Sequence, residues 1–569
     1  MTATLERPLA AAPGDDGTWR DRLQPLVWPG GGWGATLLVT LLAGLLRFIR
    51  LDQPATALEA GGKVRIGYIF DEQYYACDAK SLVTYGVEHS TSSTGPFCST
   101  TGDPAFVVHP PLGKWFIGLG EKLFGFTPFG WRFAAALFGT LTVLLVIRIG
   151  RRMTGSTLLG AFAGFLLALD GLHFVQSRVA MLDVFLCFWV VAVFGALVVD
   201  RDQVRQQLAA AADPTTVRLG LRPWRITAGV CAGAALATKW SGLFPIVVMI
   251  VLSVAWEVGA RRAAGIPEPH PWRAWLGLVL GVAAVAKAPG GHLLAVLLGL
   301  ALLAAGVAWE WAVRRAGEPA GVPSAARVVV PVLLVLALLP LVVYTVSWSG
   351  WFFTGSGWSR HWADGRSTSW GVFPDVVRSW WHYHYEMLHF HDTLASPHPY
   401  QSHALSWPFL GRPVSYYYPP DVTVGRYGCT VVSCSREVLA IGTPALWWAM
   451  IPACIGLTAR WVSRRDWRAA SLLLLTAVSV LAWVPSDLHH RTMFLFYALP
   501  SVPFLCLGLA LLAGWALDGG GLRRMWASAT VGVYGSLVLL NFAYLYPVLA
   551  AVTIPYHSWL GRMWFRSWI

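Results

Sequence analysis

Residues 130–152 read GWRFAAALFGTLTVLLVIRIGRR, and the fold follows from how this run is read. No residue between Arg132 and Arg148 is charged, and Arg148, Arg151 and Arg152 close the run. A helix over 131–149 approaches the roughly 20 residues needed to cross a hydrocarbon core. Its basic end marks the cytoplasmic side. Outward from here the pattern repeats, with spans predicted at 33–50, 156–170, 179–199, 224–242 and 243–260. Further spans are predicted at 274–288, 292–311, 328–347, 441–459, 469–484, 493–517 and 527–549. Composition agrees. Of 569 residues, 56% are hydrophobic and 13% charged, where soluble domains are about 25% charged. The fold class is an all-α polytopic membrane protein with about 11–13 transmembrane helices.

The remaining basic clusters are Arg201/Arg205/Arg218/Arg222, Arg261/Arg262/Arg273, Arg314/Arg315/Arg327, Arg460/Arg464/Arg465/Arg468 and Arg523/Arg524. All fall on one side if the spans alternate from a cytoplasmic N-terminus. The net charge of +13 therefore belongs to cytoplasmic loops and does not call for nucleic acid. Residues 1–32, rich in Pro and Gly, read as a cytoplasmic tail, and 33–569 as one membrane domain. The 31 tryptophans fit interfacial belts.

Two long segments, 51–130 and 348–440, face the other side, and loops of that length tend to be functional. Cys77 and Cys98 lie in the first, Cys429 and Cys434 in the second, while Cys187, Cys231, Cys454 and Cys506 sit in spans. Even numbers of outward cysteines fit disulfides Cys77–Cys98 and Cys429–Cys434 in an oxidising compartment; free thiols fit the sequence as well.

The chemistry gathers in these outer segments. The first holds YIFDEQYYACDAK (68–80), with Asp71 beside Glu72, and then HPPLGKWFIGLGEKLFG (109–125). Helical neighbours do not face one point, so the two carboxylates are not a shared-proton dyad. Asp71 reads as a base or as an N-cap. His109-Pro110-Pro111 breaks the chain before an amphipathic helix, whose Lys114 serves a site or meets lipid phosphate. Arg132, Arg178, Asp183, Lys239 and Arg491 stand at outer span ends, where ionisable groups are costly and point to function; Arg178 with Asp183 also reads as a structural ion pair. His382, His384, His389 and His391 have matched-face pairs seven apart, about 10.5 Å along a helix, so no metal site is expected.

At this point the sequence resembles the protein O-mannosyltransferases, particularly their bacterial branch. The motifs, in family order, are FDEQYY (70–75), HPPLGK (109–114), GWRFAAALFGTL (130–141), SRVAMLDVFL (177–186), ATKWSGLFP (237–245), SPHPYQS (396–402) and HHRTMFLFYALP (489–500). The resemblance implies a GT-C glycosyltransferase with surface helices in the first outer loop. It implies transfer of mannose from polyprenyl-phosphate mannose to Ser or Thr of exported proteins, with inversion, at the outer face of the cell membrane. The donor is a lipid-linked substrate and no cofactor is implied; membrane lipids and the secretion translocon are candidate partners. In that picture Asp71 is the base, Glu72 positions base or acceptor, and Arg132 and Arg491 contact phosphate. His109 and Lys114 shape the site, and Arg178, Asp183, Lys239 and His398 lie in matching motifs. The segment 348–440 is too short for the β-trefoil module of eukaryotic members, and the hairpin near 274–311 is extra to the usual eleven spans. Other readings are a GT-C enzyme acting on a lipid or glycan, and a transporter. A transporter predicts charges near mid-membrane and paired broken helices, whereas here the charges cluster at one face.

Overall fold

The computed structural model describes residues 31–55, 57–58, 64–65, 67–91, 98–266, 328–366, 372–420 and 422–569. The expected hairpin at 274–311 and all but the last two residues of the expected tail lie outside them. The other eleven expected spans each meet a helix. These are α1 (Trp33–Phe48), then, after the outer helices α2 (Glu72–Tyr85) and α3 (Leu112–Phe124), α4 (Pro128–Thr154), α5 (Thr157–Ala168), α6 (Asp183–Ala210), α7 (Pro223–Leu236) and α8 (Leu243–Ala263). They continue as α9 (Val330–Ser347) and, after the outer helix α10 (Asp375–Thr393), as α11 (Pro444–Arg464), α12 (Trp467–Leu488), α13 (Ser501–Leu517) and α14 (Gly521–Leu549). Seven are long and apolar enough to cross a membrane: α4, α6, α8 with the turn before it, α9, α11, α12 and α14.

The run that opened the sequence reading is α4, and its ends are built locally. The Thr127 hydroxyl accepts from Gly130 N at 3.2 Å and Pro128 takes a first-turn position, both favoured at helix starts. Gly155, at φ 71°, closes the other end in the left-handed region.

Described arginines of several clusters gather at one face. Arg152 Nε donates to Asp202 at 2.7 Å, and Arg468 Nη1 donates to Met153 O at 3.0 Å. Arg222 bridges Asp200 and Glu257 at 2.6 and 2.5 Å. These bonds tie the basic ends of α4, α6, α7, α8 and α12 together.

At the opposite face α3 packs against both α2 and α4. Gly118 permits that approach, since a Cβ there would stand 2.7 Å from Ala79 O. A short antiparallel hairpin pairs His89–Thr91 with Thr100–Pro104. The second outer segment supplies α10 and the strand Val414–Tyr417, antiparallel to Val438–Ala440. Disulfides join Cys77 to Cys98 and Cys429 to Cys434, so the disulfide reading holds over free thiols.

Candidate active site

Asp71 occupies the N-cap position of α2 but makes no capping hydrogen bond. Its backbone, at φ −75° and ψ 2°, departs from the extended geometry that lets a cap reach back to its helix. The preceding residue explains this. Phe70 has φ 50°, a left-handed conformation costing a non-glycine residue on the order of 1 kcal/mol. It is held there from the second outer segment: Phe70 N donates to Tyr416 O at 3.2 Å, and the two rings stack 4.6 Å apart. Phe494, Phe496 and His398 meet the Phe70 ring edge-on at 6.0–6.2 Å. The carboxylate of Asp71 is thus left without a bond to its own helix. Burial pushes its pKa up to about 6, with Lys239 opposing and Asp183 reinforcing the rise.

Glu72 goes elsewhere. It is fully buried, and Arg132 Nε and Nη2 donate to its two oxygens at 2.8 Å each. Those oxygens also accept from Ile69 N at 2.8 Å and Ala180 N at 2.9 Å. Arg132 spends its other donors on the carbonyls of Leu51, Pro54 and Gly67. All five guanidinium N–H groups are therefore occupied and none is left for a phosphate. The expectation that Arg132 contacts phosphate, and that Glu72 meets the acceptor, is corrected: the pair is a buried brace joining the first outer segment to α4 and to the turn before α6.

Arg178 is also corrected. Its Nη1 donates to the carbonyls of Leu46, Arg47 and Ile49, and its Nη2 to Arg50 O. It closes the end of α1 and is not bonded to Asp183. Asp183 instead accepts two bonds from Lys239 Nζ, at 2.9 and 3.1 Å. Lys114 does not meet lipid: its side chain is 1% exposed and donates to Glu88 at 2.5 Å.

The remaining predicted residues converge. Lys239 Nζ sits 4.7 Å from the Tyr497 ring centroid, and the Arg491 guanidinium lies 5.9 Å from the same ring. Arg491 Nε donates to His391 O at 3.0 Å, and its Nη2 meets His391 Nδ1 at 3.3 Å. His391 Nε2 donates to Val108 O at 2.8 Å, leaving Nδ1 to accept from Arg491. The His109 ring meets those of His391, at 5.2 Å, and Tyr75, at 6.3 Å, at a tilt, with no hydrogen bond to the described residues. Burial holds His109 well below the usual imidazole range, and Lys239, His391, Lys114 and Arg491 deepen that effect. Arg491 is half-buried and its Nη1 makes no hydrogen bond to the described residues. Lys239 is steadied by its neighbour Trp240, whose indole donates to Tyr344 Oη at 3.0 Å, with Tyr344 Oη 2.7 Å from His384 Nε2.

Asp71, His109, Asp183, Lys239 and Arg491 thus share one site, with His398 edge-on to Phe70 beside it. Sequence reasoning missed Tyr416 and the anchoring role of His391. Only the aromatic-rich runs VSYYYPP and HYHYEMLHFHD hinted at them. Among the described residues no three His, Cys, Asp or Glu are grouped as a metal would require.

The family model for dolichyl-phosphate-mannose-protein mannosyltransferase matches residues 127–263, and that for the C-terminal four-span region of protein O-mannosyltransferase matches 376–568. A polyprenol-phosphate-mannose–protein mannosyltransferase of Mycobacterium tuberculosis is 37% identical over 555 residues, covering 94% of this chain and 92% of its own. The chain belongs to the protein O-mannosyltransferase family. The Mycolicibacterium smegmatis relative of the same name is 36% identical over 94% of this chain and 93% of its own. In fold, the chain is similar to the Saccharomyces cerevisiae Pmt1–Pmt2 complex bound to the sugar donor. There the TM-score is 0.64 at 14% identity, over 96% of this chain and 94% of that one. The fold is that of the GT-C glycosyltransferases, in a multi-pass membrane protein.

Proposed function

We propose that the chain transfers mannose from polyprenyl-phosphate mannose to Ser or Thr hydroxyls of exported proteins, with inversion, at the outer face of the cell membrane. The observation that carries this reading is the uncapped carboxylate of Asp71 beside the Lys239–Asp183 pair, in a chain whose relatives carry that name.

In this reading Asp71 takes the proton of the acceptor hydroxyl as its oxygen attacks C1 of mannose. The bond from C1 to the phosphate oxygen breaks, and polyprenyl phosphate leaves as an anion. Arg491 and Lys239 are the cations near enough to stabilise it, and the leaving group needs no acid. One base suffices, and a single in-line displacement inverts C1, as in inverting glycosidases. Neutral His109 can accept or donate a hydrogen bond beside these cations without adding charge. The outer placement is supported by two disulfides on the face that carries Asp71 and by arginine clusters at the opposite ends. The exported acceptor follows from that placement. A translocon partner would deliver such a chain before it folds.

Purified protein incubated with labelled polyprenyl-phosphate mannose and a Thr-rich peptide tests the reading. The expected product is mannosyl-threonine whose anomeric configuration, by NMR, is opposite to the donor's. Transfer to lipid or glycan but not to peptide, or retention at C1, would overturn it.

A further inference from the structure

The run from Phe494 to Tyr497 builds an aromatic wall that the reaction above does not use. Phe494 is extended, and the tight turn after it closes with Tyr497 N donating to Phe494 O at 3.0 Å. Three residues per turn bring i and i+3 to one side, and the rings of Phe494 and Tyr497 stand 6.0 Å apart. Phe496 meets both, at 5.3 and 5.1 Å, and also meets Phe70, the residue before Asp71. Trp483 of α12 extends the wall. Its ring lies 4.7 Å from that of Tyr497 and 5.5 Å from that of Phe244 on α8.

Two cations rest on this wall. Lys239 Nζ lies over the Tyr497 ring at 4.7 Å and the Phe496 ring at 5.7 Å. The Arg491 guanidinium lies over the Trp483 ring at 5.5 Å and the Tyr497 ring at 5.9 Å. Each distance falls within the roughly 6 Å over which a ring face attracts a cation. Tyr497 is the ring they share. Lys239 also has a carboxylate, that of Asp183. Arg491 has none: its hydrogen-bond partners among the described residues are O and Nδ1 of His391, neither of them an anion. Aromatic faces therefore steady Arg491 where a buried cation ordinarily has an acid. A carboxylate there would compete with an incoming phosphate, whereas a ring holds the cation and leaves its N–H groups to the ligand.

We propose that Tyr497, backed by Trp483, is a positioning residue for the donor phosphate, its ring holding Arg491 and Lys239 together so that the phosphate meets a preformed cation pair. This rests on the reading that the donor is a polyprenyl-phosphate sugar. The test uses the purified full chain with polyprenyl-phosphate mannose, a Thr-rich peptide, and sugar-free polyprenyl phosphate as inhibitor. Tyr497→Leu removes the ring face and is expected to raise the donor KM and the inhibition constant of polyprenyl phosphate together, roughly tenfold, as the loss of cation–ring attraction predicts. The acceptor KM should stay near wild type. Tyr497→Phe restores a ring face and should recover most of the lost donor affinity. An unfolding midpoint in detergent certifies the fold; if Tyr497→Leu does not fold, Trp483→Leu is judged against Trp483→Phe by the same criteria. Equal loss in the Phe and Leu variants, a matching rise in acceptor KM, or unchanged donor KM in the Leu variant would overturn the proposal and leave the ring as packing. Wild-type protein that neither uses the mannose donor nor is inhibited by polyprenyl phosphate would instead refute the functional reading, and this inference with it.

Discussion

Asp71 and Glu72 share a peptide bond, yet one faces the site and the other is locked beneath it by Arg132. Removing one member of a buried ion pair leaves the other charge uncompensated, at a cost of about 3–5 kcal/mol. Glu72→Gln and Arg132→Lys should therefore lower the unfolding midpoint in detergent while the donor KM of surviving protein stays near wild type. A raised donor KM at unchanged stability would return Arg132 to the phosphate. Asp71 must be ionised to take a proton. Because burial pushes its pKa up to about 6, kcat should rise with pH through about 6 and level off above it; a flat profile across that range would count against Asp71 as base. Tyr416→Leu removes the stack that holds Phe70 left-handed. Asp71 can then relax into a cap, where helix N–H groups favour its charged form. The acid limb should shift to lower pH and kcat should fall at least about tenfold, whereas Tyr416→Phe keeps the ring and stays near wild type. Equal loss in both variants, with no shift of the limb, would reduce Tyr416 to simple packing.

Among the elements, long apolar helices were the most legible, because a hydrocarbon core demands both length and apolarity. That several basic helix ends share a face was legible too, since described members of those clusters meet in shared ion pairs such as Arg152–Asp202 and Arg222–Glu257. Side-chain partners were not. Arg178 and Asp183 are close in sequence, yet one closes α1 while the other pairs with Lys239, 56 residues on. Helix α9 runs parallel to α7: Cβ atoms at Gly229 and Gly233 would press on Val335 O and Pro340 O in turn. Since α8 returns to the basic ends through Glu257, the start of α9 stands on that same side. An impermeant maleimide on intact cells should thus label a cysteine replacing Asp364, in the second outer segment, and spare one replacing Gln206 near the end of α6. The reverse pattern would invert the topology.

Over the whole molecule, the site is assembled from three stretches far apart in sequence: the first outer segment, the α6–α8 span ends, and the second outer segment with the run to Tyr497. FDE and HPPLGK marked the first of these in the sequence. The contacts that orient the base, from Tyr416 to Phe70 and from Arg491 to His391, span hundreds and a hundred residues respectively. Only the fold brings such residues together, so no local pattern could announce them. The account's central claim is that one carboxylate, set free of its helix by this assembly, activates the acceptor. Its most direct test is the rate of mannose transfer to a Thr-rich peptide by purified Asp71→Asn, with retained donor binding as the fold control. Loss of two to four orders of magnitude, roughly what a general base contributes, is predicted; transfer at near wild-type rate would contradict the claim and place the base elsewhere.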